Sequence, residues 1–239
     1  QARPLSLQEA LDIVLDKAEH GEPLSQMLIG NVYFWGDFVK IQGKNHEDFD
    51  SDDAIQSYLR ENYAKCEDWL WRAYRNGVSL SNLNLSNFYH NGKQGLISPR
   101  PEKEPEVDRY GAEKGYPDCM CFYATTLFNN GNKDEAYDLY RRSAERGEPR
   151  AFFRAGYSYE MGEGVPKDAA RAAQYYQQAL AAPIQVKANS ANRLGMFYYD
   201  GKGVEQDYAK AFQLLKWAED NGASPQFYYL GACYANGQG

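Results

Sequence analysis

The sequence predicts an all-α solenoid, a stack of antiparallel helical hairpins that share one hydrophobic core. The first observation is a hairpin pattern: an apolar helix, a turn that contains Gly201 and Gly203, and a second helix that stops at Gly222. The second observation is that the same pattern stands upstream in residues 154–180. A unit that recurs at a spacing of roughly 30–40 residues is typical of solenoids, in which each repeat packs on its neighbours.

Two positions keep their character in every first helix, counted back from the glycine that closes it. A small residue stands six positions before that glycine, and an aromatic residue stands three positions before it. The best-preserved pairs are Gly30 and Tyr33, Gly156 and Tyr159, Gly195 and Tyr198, and Gly231 and Tyr234. Residues at this spacing share one helix face. We therefore expect the small residue to admit a neighbouring helix and the aromatic ring to fill the space beside it.

The turn between the helices has the pattern G-x-G-V-x-x-D in residues 162–168 and 201–207. Its last residues, Asp168 and Asp207, are predicted to cap the second helices by accepting hydrogen bonds from first-turn amides. Together with the small and aromatic positions, this pattern resembles the Sel1-like repeat family, a relative of the tetratricopeptide repeats. The resemblance covers residues 23–239 and implies a right-handed α-solenoid that serves as a binding scaffold. The pattern is irregular in residues 38–53 and 93–105.

Residues 1–22 precede the repeats and predict an amphipathic helix that caps the open end of the array. Ser6 is a plausible N-cap, and Glu9 completes a capping box with it. The chain begins without an initiator methionine. The sequence-based expectation is a periplasmic protein whose signal peptide has been removed, with a cytoplasmic location as the alternative.

The net charge of the chain indicates which class of partner it can bind. Lys and Arg number 26 against 33 Asp and Glu, a formal net charge of −7. Binding to nucleic acid requires clustered cations, so nucleic acid is not expected as a partner. A protein with basic patches fits better. No apolar run approaches the ~18 residues of a transmembrane helix, so no membrane-spanning segment is expected.

The insertion in residues 38–53 is the first candidate contact surface. Its acidic side chains, which surround Phe49, are Glu47, Asp48, Asp50 and Asp52. Three interpretations remain open: a solvated acidic loop, an acidic finger that binds a partner with Phe49 as its anchor, and a metal site. The spacing is similar to the start of a calcium loop, but Asp53 stands where that loop needs glycine and Leu59 where it needs glutamate. We predict no metal.

Trp71 is the second candidate contact. The repeat alignment assigns Leu70 to the core and Trp69 to the usual tryptophan position of the family. Residues two apart on a helix cannot share one narrow stripe. We therefore expect Trp71 to be the more exposed tryptophan and to contact a partner, or else to pack on the preceding insertion.

No catalytic constellation is visible. Of the three histidines, His20 and His90 stand near predicted helix ends, where the helix dipole favours them. The usual nucleophile, phosphate-loop and zinc motifs do not occur. We expect neither catalysis nor a cofactor. One Sel1-like subgroup with regularly paired cysteines has been linked to β-lactam binding, but that pairing is missing here.

Three functions are consistent with the resemblance. The favoured hypothesis is an immunity protein that binds and neutralises a secreted antibacterial effector, such as a type VI lipase or other hydrolase, by occluding it. The alternative is an adaptor that assembles a signalling or cell-envelope complex. A protein that binds a small ligand or a β-lactam is disfavoured because the paired cysteines are missing.

Overall fold

The computed structural model describes residues 3–93, 95–224 and 227–237, and the regular secondary structure there is helical. The α-helices, numbered in chain order, are α1 (Leu7–Glu19), α2 (Pro23–Trp35), α3 (Asp37–Ile41), α4 (Asp52–Arg75), α5 (Ser81–Asn91), α6 (Glu104–Lys114), α7 (Pro117–Asn129), α8 (Lys133–Glu145), α9 (Pro149–Met161), α10 (Ala169–Ala179), α11 (Ile184–Asp200), α12 (Tyr208–Asp220) and α13 (Phe227–Ala235). Short 3-10 turns lie at His46–Asp48 and Pro101–Lys103. The predicted all-α fold of stacked hairpins is confirmed.

The chain divides into two compact units, Gln1–Gly111 and Ala112–Gly239. The boundary falls within α6. The first unit holds α1 to α5 and both segments that depart from the repeat pattern. The second unit holds the regular hairpins α7–α8, α9–α10 and α11–α12, followed by α13.

The amino-terminal helix α1 packs on the first hairpin of its unit. It begins after Ser6, whose hydroxyl accepts from the amide of Glu9, while the Glu9 carboxylate accepts from the amide of Ser6. The apolar side of α1 joins the α2–α4 hairpin in a buried cluster of Ala18, Ile29 and Trp69. The capping box fixes where this helix starts, and the cluster fixes which of its sides is buried.

The predicted insertion in residues 38–53 contains structure of its own. The short helix α3 occupies its start and places Phe38 in the core with no exposed surface. The ring of Phe38 meets Tyr63 edge-on, with ring centroids 5.2 Å apart. The insertion is therefore anchored at its beginning by the buried Phe38 side chain.

The proline-broken loop in residues 93–105 contacts other parts of the first unit at several points, beginning at Lys93. The Lys93 ammonium donates to the carbonyl oxygen of Phe34 and lies 4.1 Å from the centre of the Phe34 ring. The amide of Arg100 donates to the carbonyl oxygen of Tyr89 at 2.6 Å. Helix α6 begins at Glu104, one residue before Pro105, because proline is tolerated in the first turn of a helix.

The small positions of the repeat are the points where the two helices of a hairpin meet. A Cβ built at Gly195 would lie 2.7 Å from Cγ of Leu215, and one at Gly156 would lie 3.0 Å from the Tyr176 ring. In the first unit, a Cβ at Gly30 would lie 2.7 Å from Cδ2 of Leu70. These distances are shorter than ordinary van der Waals contact, so a larger residue would push the helices apart.

The two glycines of the turn have different structural roles. Gly201 closes α11 in the left-handed region, with a φ of 66°. Gly203 also has a positive φ, 71°, and lies so close to the backbone of Ala169 that a Cβ there would collide with it. The first glycine therefore ends a helix, while the second lets the turn contact the start of α10 in the preceding hairpin. Asp207 then caps α12 by accepting from the amide of Lys210 at 2.9 Å, and Asp168 caps α10 in the same way.

The last helix, α13, differs from the other first helices. Among the described atoms, nothing lies within 4 Å of a Cβ built at Gly231. Tyr234 is 56% exposed, whereas Tyr159 at the equivalent position is 5% exposed. Leu230 and Cys233 form the buried side of α13.

The cysteines are structural in character. Cys66, Cys119, Cys121 and Cys233 are all buried. Burial raises the pKa of the Cys66 thiol to about 12, so it stays protonated at neutral pH. A protonated, buried thiol behaves as a small apolar group.

Candidate partner-binding surfaces

The acidic segment of the first unit carries most of the side chains proposed from sequence. Its four proposed carboxylates, all exposed, belong to Glu47, Asp48, Asp50 and Asp52. Asp48 accepts from the amide of Asn45 at 2.7 Å, and an Asp52 oxygen lies 3.3 Å from Nε2 of His46. These local bonds shape the turn and leave its carboxylates at the surface. The described residues contain no group of three or more His, Cys, Asp or Glu side chains placed to hold a metal ion.

Phe49, the proposed anchor of this segment, faces the protein. Its side chain is half-buried, and its ring centre lies 5.1 Å from that of Tyr58 on α4. The Lys44 ammonium lies 5.9 Å from the same ring centre. The ring therefore holds the segment against α4, and the surface that the segment offers consists of its carboxylates.

The expectation that Trp71 is the more exposed tryptophan was wrong. Trp71 and Trp69 are each 8% exposed. The indole nitrogen of Trp71 donates to the Tyr89 hydroxyl at 2.8 Å, and its ring contacts that of Tyr110 edge-on at 5.8 Å. Its partners lie on α5 and α6, so it does not pack on the preceding insertion either. A helix inside a stack is covered on more than one side, which the single-stripe argument ignored.

Trp71 belongs to a polar cluster centred on Glu67. The Glu67 carboxylate accepts from the Tyr89 hydroxyl at 2.7 Å, from Arg100 at 2.6 Å and from Lys103 at 3.2 Å. Burial opposes ionisation of Glu67, but these three hydrogen bonds outweigh it and lower the pKa of its carboxyl. The cluster borders a groove of about 410 Å³. Its charges are paired with one another, so its main effect is to hold the loop in residues 93–105 against α4.

A second groove, in the second unit, has a different character. It has a volume of about 380 Å³ and lies between α10 and the preceding α8–α9 pair. Its wall is aromatic: the rings of Tyr159 and Tyr175 stack with centres 5.8 Å apart, and Phe152 lies 6.5 Å from Tyr175. Two oppositely charged side chains, Glu145 and Arg171, also line it. Flat aromatic surfaces bordered by polar groups are typical of binding grooves.

Hydrogen bonds fix the aromatic wall in place. The hydroxyls of Tyr137 and Tyr159 lie 2.6 Å apart, and Arg171 donates to the Tyr159 hydroxyl at 2.9 Å. Burial and the hydrogen bond to Tyr159 raise the pKa of Tyr137, so the Tyr137 phenol remains protonated near neutral pH. The wall is therefore a rigid, uncharged surface.

A third groove, of about 440 Å³, lies on the other side of α10, between that helix and α11. Leu194, Tyr198 and Val204 supply its apolar surface, and no charged side chain is among the described residues that line it. Gln174 and Gln178 border both this groove and the aromatic one. The two grooves therefore flank a ridge on α10 that carries glutamine side chains.

Sequence reasoning missed these glutamines. The only signal was their spacing, since Gln174, Gln177 and Gln178 stand at i, i+3 and i+4 and share a helix face. Exposed glutamine is common on helices, so the spacing alone carries little weight. The grooves on both sides of α10 are what distinguish this face.

The fold and these grooves define a class of protein: an α-helical repeat protein that offers open, rigid surfaces along its helices. The Sel1 repeat family model matches residues 117–148, 149–182 and 188–222. These segments correspond to the hairpins α7–α8, α9–α10 and α11–α12. Over these residues the chain matches the Sel1 repeat, a repeat that occurs in protein-binding scaffolds.

Similarity to known proteins extends beyond the three matched repeats. The chain is 29% identical over 248 aligned positions to the ERAD-associated E3 ubiquitin-protein ligase component HRD3B of Arabidopsis thaliana. That alignment covers 98% of this chain and 36% of the relative, so the chain spans about a third of the relative's length.

Among the described residues, no helix has both the length and the apolar character needed to cross a membrane.

Two solved structures share the fold. The Sel1 repeat protein from Oxalobacter formigenes is 25% identical with a TM-score of 0.64, over 90% of this chain and 80% of that protein. The second is c5321, a protective antigen present in uropathogenic Escherichia coli strains. It is 22% identical with a TM-score of 0.56, over 90% of this chain and 51% of that protein. The second likeness concerns the fold alone.

Proposed function

We propose that this chain is a non-enzymatic scaffold that binds a partner protein and holds it within a larger assembly. The observation that carries this proposal is the pair of grooves flanking α10, with volumes of about 380 and 440 Å³. The rigid aromatic wall and the exposed glutamines are suited to binding another chain. A preformed surface lowers the entropic cost of association, because few side chains must be ordered on binding.

An adaptor role is supported by the similarity to a ligase component, which extends over nearly the whole of this chain. A ligase component acts within a complex, and a repeat array suits that work because each hairpin adds surface without changing the core. The proposal transfers the binding role and not the ligase chemistry.

An immunity role is the second candidate, and the acidic segment in residues 45–53 favours it. That segment presents exposed carboxylates on a chain whose net charge is −7. A secreted hydrolase or other effector with a basic patch around its cleft would be steered to such a surface. Binding would then occlude the effector. Under this hypothesis the two proteins meet in the periplasm, with the cytoplasm as the alternative.

Affinity capture with the intact chain tests both candidates. The captured proteins are identified by mass spectrometry, and their stoichiometry is measured after cross-linking. One effector whose activity falls in proportion to the added chain would favour immunity over adaptation. Several components of one assembly, none of them a toxin, would favour the adaptor role. If no protein partner binds stoichiometrically, the scaffold proposal is wrong.

A further inference from the structure

The hydrogen-bonding capacity that remains unused around α10 is concentrated in its glutamines. Gln174, Gln177 and Gln178 are exposed, and none of their side chains has a hydrogen-bond partner among the described residues. Their polar neighbours differ in this respect. Tyr176 donates to Glu160 at 2.6 Å, and Lys210 donates to the Tyr198 hydroxyl at 2.6 Å. The three carboxamides therefore offer free donors and acceptors on this surface.

A carboxamide offers the same pair of groups as a peptide bond, a carbonyl that accepts and an N–H that donates. We propose that Gln174 and Gln178 bind the main chain of an extended, uncharged segment of the partner protein. This inference rests on the proposed function and deepens it. The segment crosses the ridge of α10, where the two glutamines pair with its peptide groups. Its side chains on either side of the ridge enter the two flanking grooves.

The chemistry of the ridge selects an extended segment over a helix. In a helix the main-chain groups already bond to one another, except in the first and last turns. Glutamines facing the middle of a helix would find side chains and no free peptide groups. An extended segment leaves its N–H and C=O groups available, and its side chains alternate between two sides.

The charge of the grooves selects an uncharged segment. The groove between α10 and α11 has no charged side chain in its described lining, although charged residues make up 25% of the chain. The aromatic groove contains Glu145 and Arg171, whose charges offset each other. A charged side chain entering either groove would lose hydration without gaining a free partner of opposite charge. Apolar side chains would instead bury against Phe152 and Tyr175 on one side and against Tyr198 and Val204 on the other.

The first test uses a displayed library of random heptapeptides selected against the intact chain. An enriched peptide is synthesised in its native form and with N-methyl groups on alternate main-chain amides. N-methylation removes main-chain donors and leaves the side chains in place. We expect enriched peptides without net charge, with apolar residues on both sides of a central position. N-methylation should weaken their binding at least tenfold.

The second test uses variants of the ridge. The double substitution Gln174→Ala and Gln178→Ala should weaken peptide binding at least tenfold. Gln213→Ala, which changes an exposed glutamine on α12 outside both grooves, should change binding less than twofold. Alanine is favourable in helices, so these variants should fold, and circular dichroism with native-state hydrogen exchange verifies this.

Several results would overturn the inference. In the peptide test, these are a failure to enrich any peptide, the enrichment of charged peptides, or equal affinity of the native and N-methylated peptides. An increase in helical circular dichroism when the peptide binds would also contradict it. In the variant test, the contradicting result is a double variant whose affinity for the peptide is within twofold of wild type. The proposed function fails separately. If affinity capture recovers the same stoichiometric partner with the double variant as with wild type, the inference about α10 is wrong and the scaffold proposal stands. If neither chain recovers a partner, the scaffold proposal is wrong.

Discussion

Substitution of Gly195 by leucine tests the packing on which the repeat depends. A Cβ at this position would lie 2.7 Å from Cγ of Leu215 and 3.2 Å from the carbonyl oxygen of Ala211. Leu215 is 3% exposed and Ala211 is fully buried, so neither neighbour has open space to move into. Leucine would add its remaining carbons to the same closed contact.

The expected cost follows from two opposing effects. Overpacking a closed contact costs about 1–3 kcal/mol, and the upper end applies because a backbone oxygen as well as a side chain stands in the way. Removing a glycine from a helix interior returns about 1 kcal/mol, because glycine is a poor helix former. The net loss for Gly195→Leu should therefore be about 2 kcal/mol, which lowers exchange protection roughly 30-fold.

Native-state hydrogen exchange measured by mass spectrometry is the appropriate assay. The chain has two compact units, and a single global free energy of unfolding is poorly defined for such chains. Exchange instead reports the local opening of α11 and α12. Gly231→Ala is the matched control, since nothing described lies within 4 Å of the added carbon. It should leave protection of α13 unchanged or raise it. A loss below about 0.5 kcal/mol for Gly195→Leu would show that the contact is not closed.

Three further predictions address a helix cap, a titrating cluster and a buried thiol. Asp207→Ala should lower the stability of α12 by about 1 kcal/mol in exchange experiments, while Asp207→Asn, which keeps an accepting oxygen, should lower it less. The pKa of Glu67 is lowered in the folded chain, so its ionisation stabilises the fold above the unfolded value of 4.5 and the gain disappears as the pH falls through the folded value. Wild type should therefore lose protection in α4 as the pH falls below 4.5, and Glu67→Gln should show a weaker pH dependence. An unchanged pH profile in that variant would contradict the role given to the cluster. Cys66, with its pKa raised to about 12, should resist iodoacetamide at pH 8 in the native chain and react in urea, as intact mass shows; rapid native labelling would contradict its burial.

Much of the fold could be predicted because, in each repeat, single residues determine how its two helices pack. The small residues Gly156 and Gly195 predicted the close approach of two helices, and both lie against the second helix of their own hairpin. The capping positions could be predicted for the same reason, since a cap depends on the residue itself and the next turn of chain. Such local rules need no knowledge of the neighbouring hairpin.

Features that depend on the neighbouring hairpin could not be predicted. Trp71 was assigned to the surface because Leu70 occupied the core stripe of its own hairpin, yet α5 and α6 cover it. Gly203 was identified as a turn residue, but its contact with Ala169 belongs to the stacking of two hairpins. In both cases the missing information was which element comes to lie beside the residue.

Net charge alone does not locate a binding surface. A net charge of −7 suggested a basic partner, but much of the acid on the hairpins is already paired. Arg141, for example, holds both Asp138 at 2.7 Å and Glu145 at 2.6 Å. The acidic segment and the α10 ridge therefore predict different salt dependence for partner binding. Attraction to the exposed carboxylates should weaken steeply as added salt shortens the screening length from about 10 Å at 0.1 M to about 3 Å at 1 M. Main-chain pairing with Gln174 and Gln178, in grooves without net charge, should change little over that range. A partner whose affinity falls by orders of magnitude with salt binds through the acidic segment. A partner whose affinity does not change with salt binds across the α10 ridge.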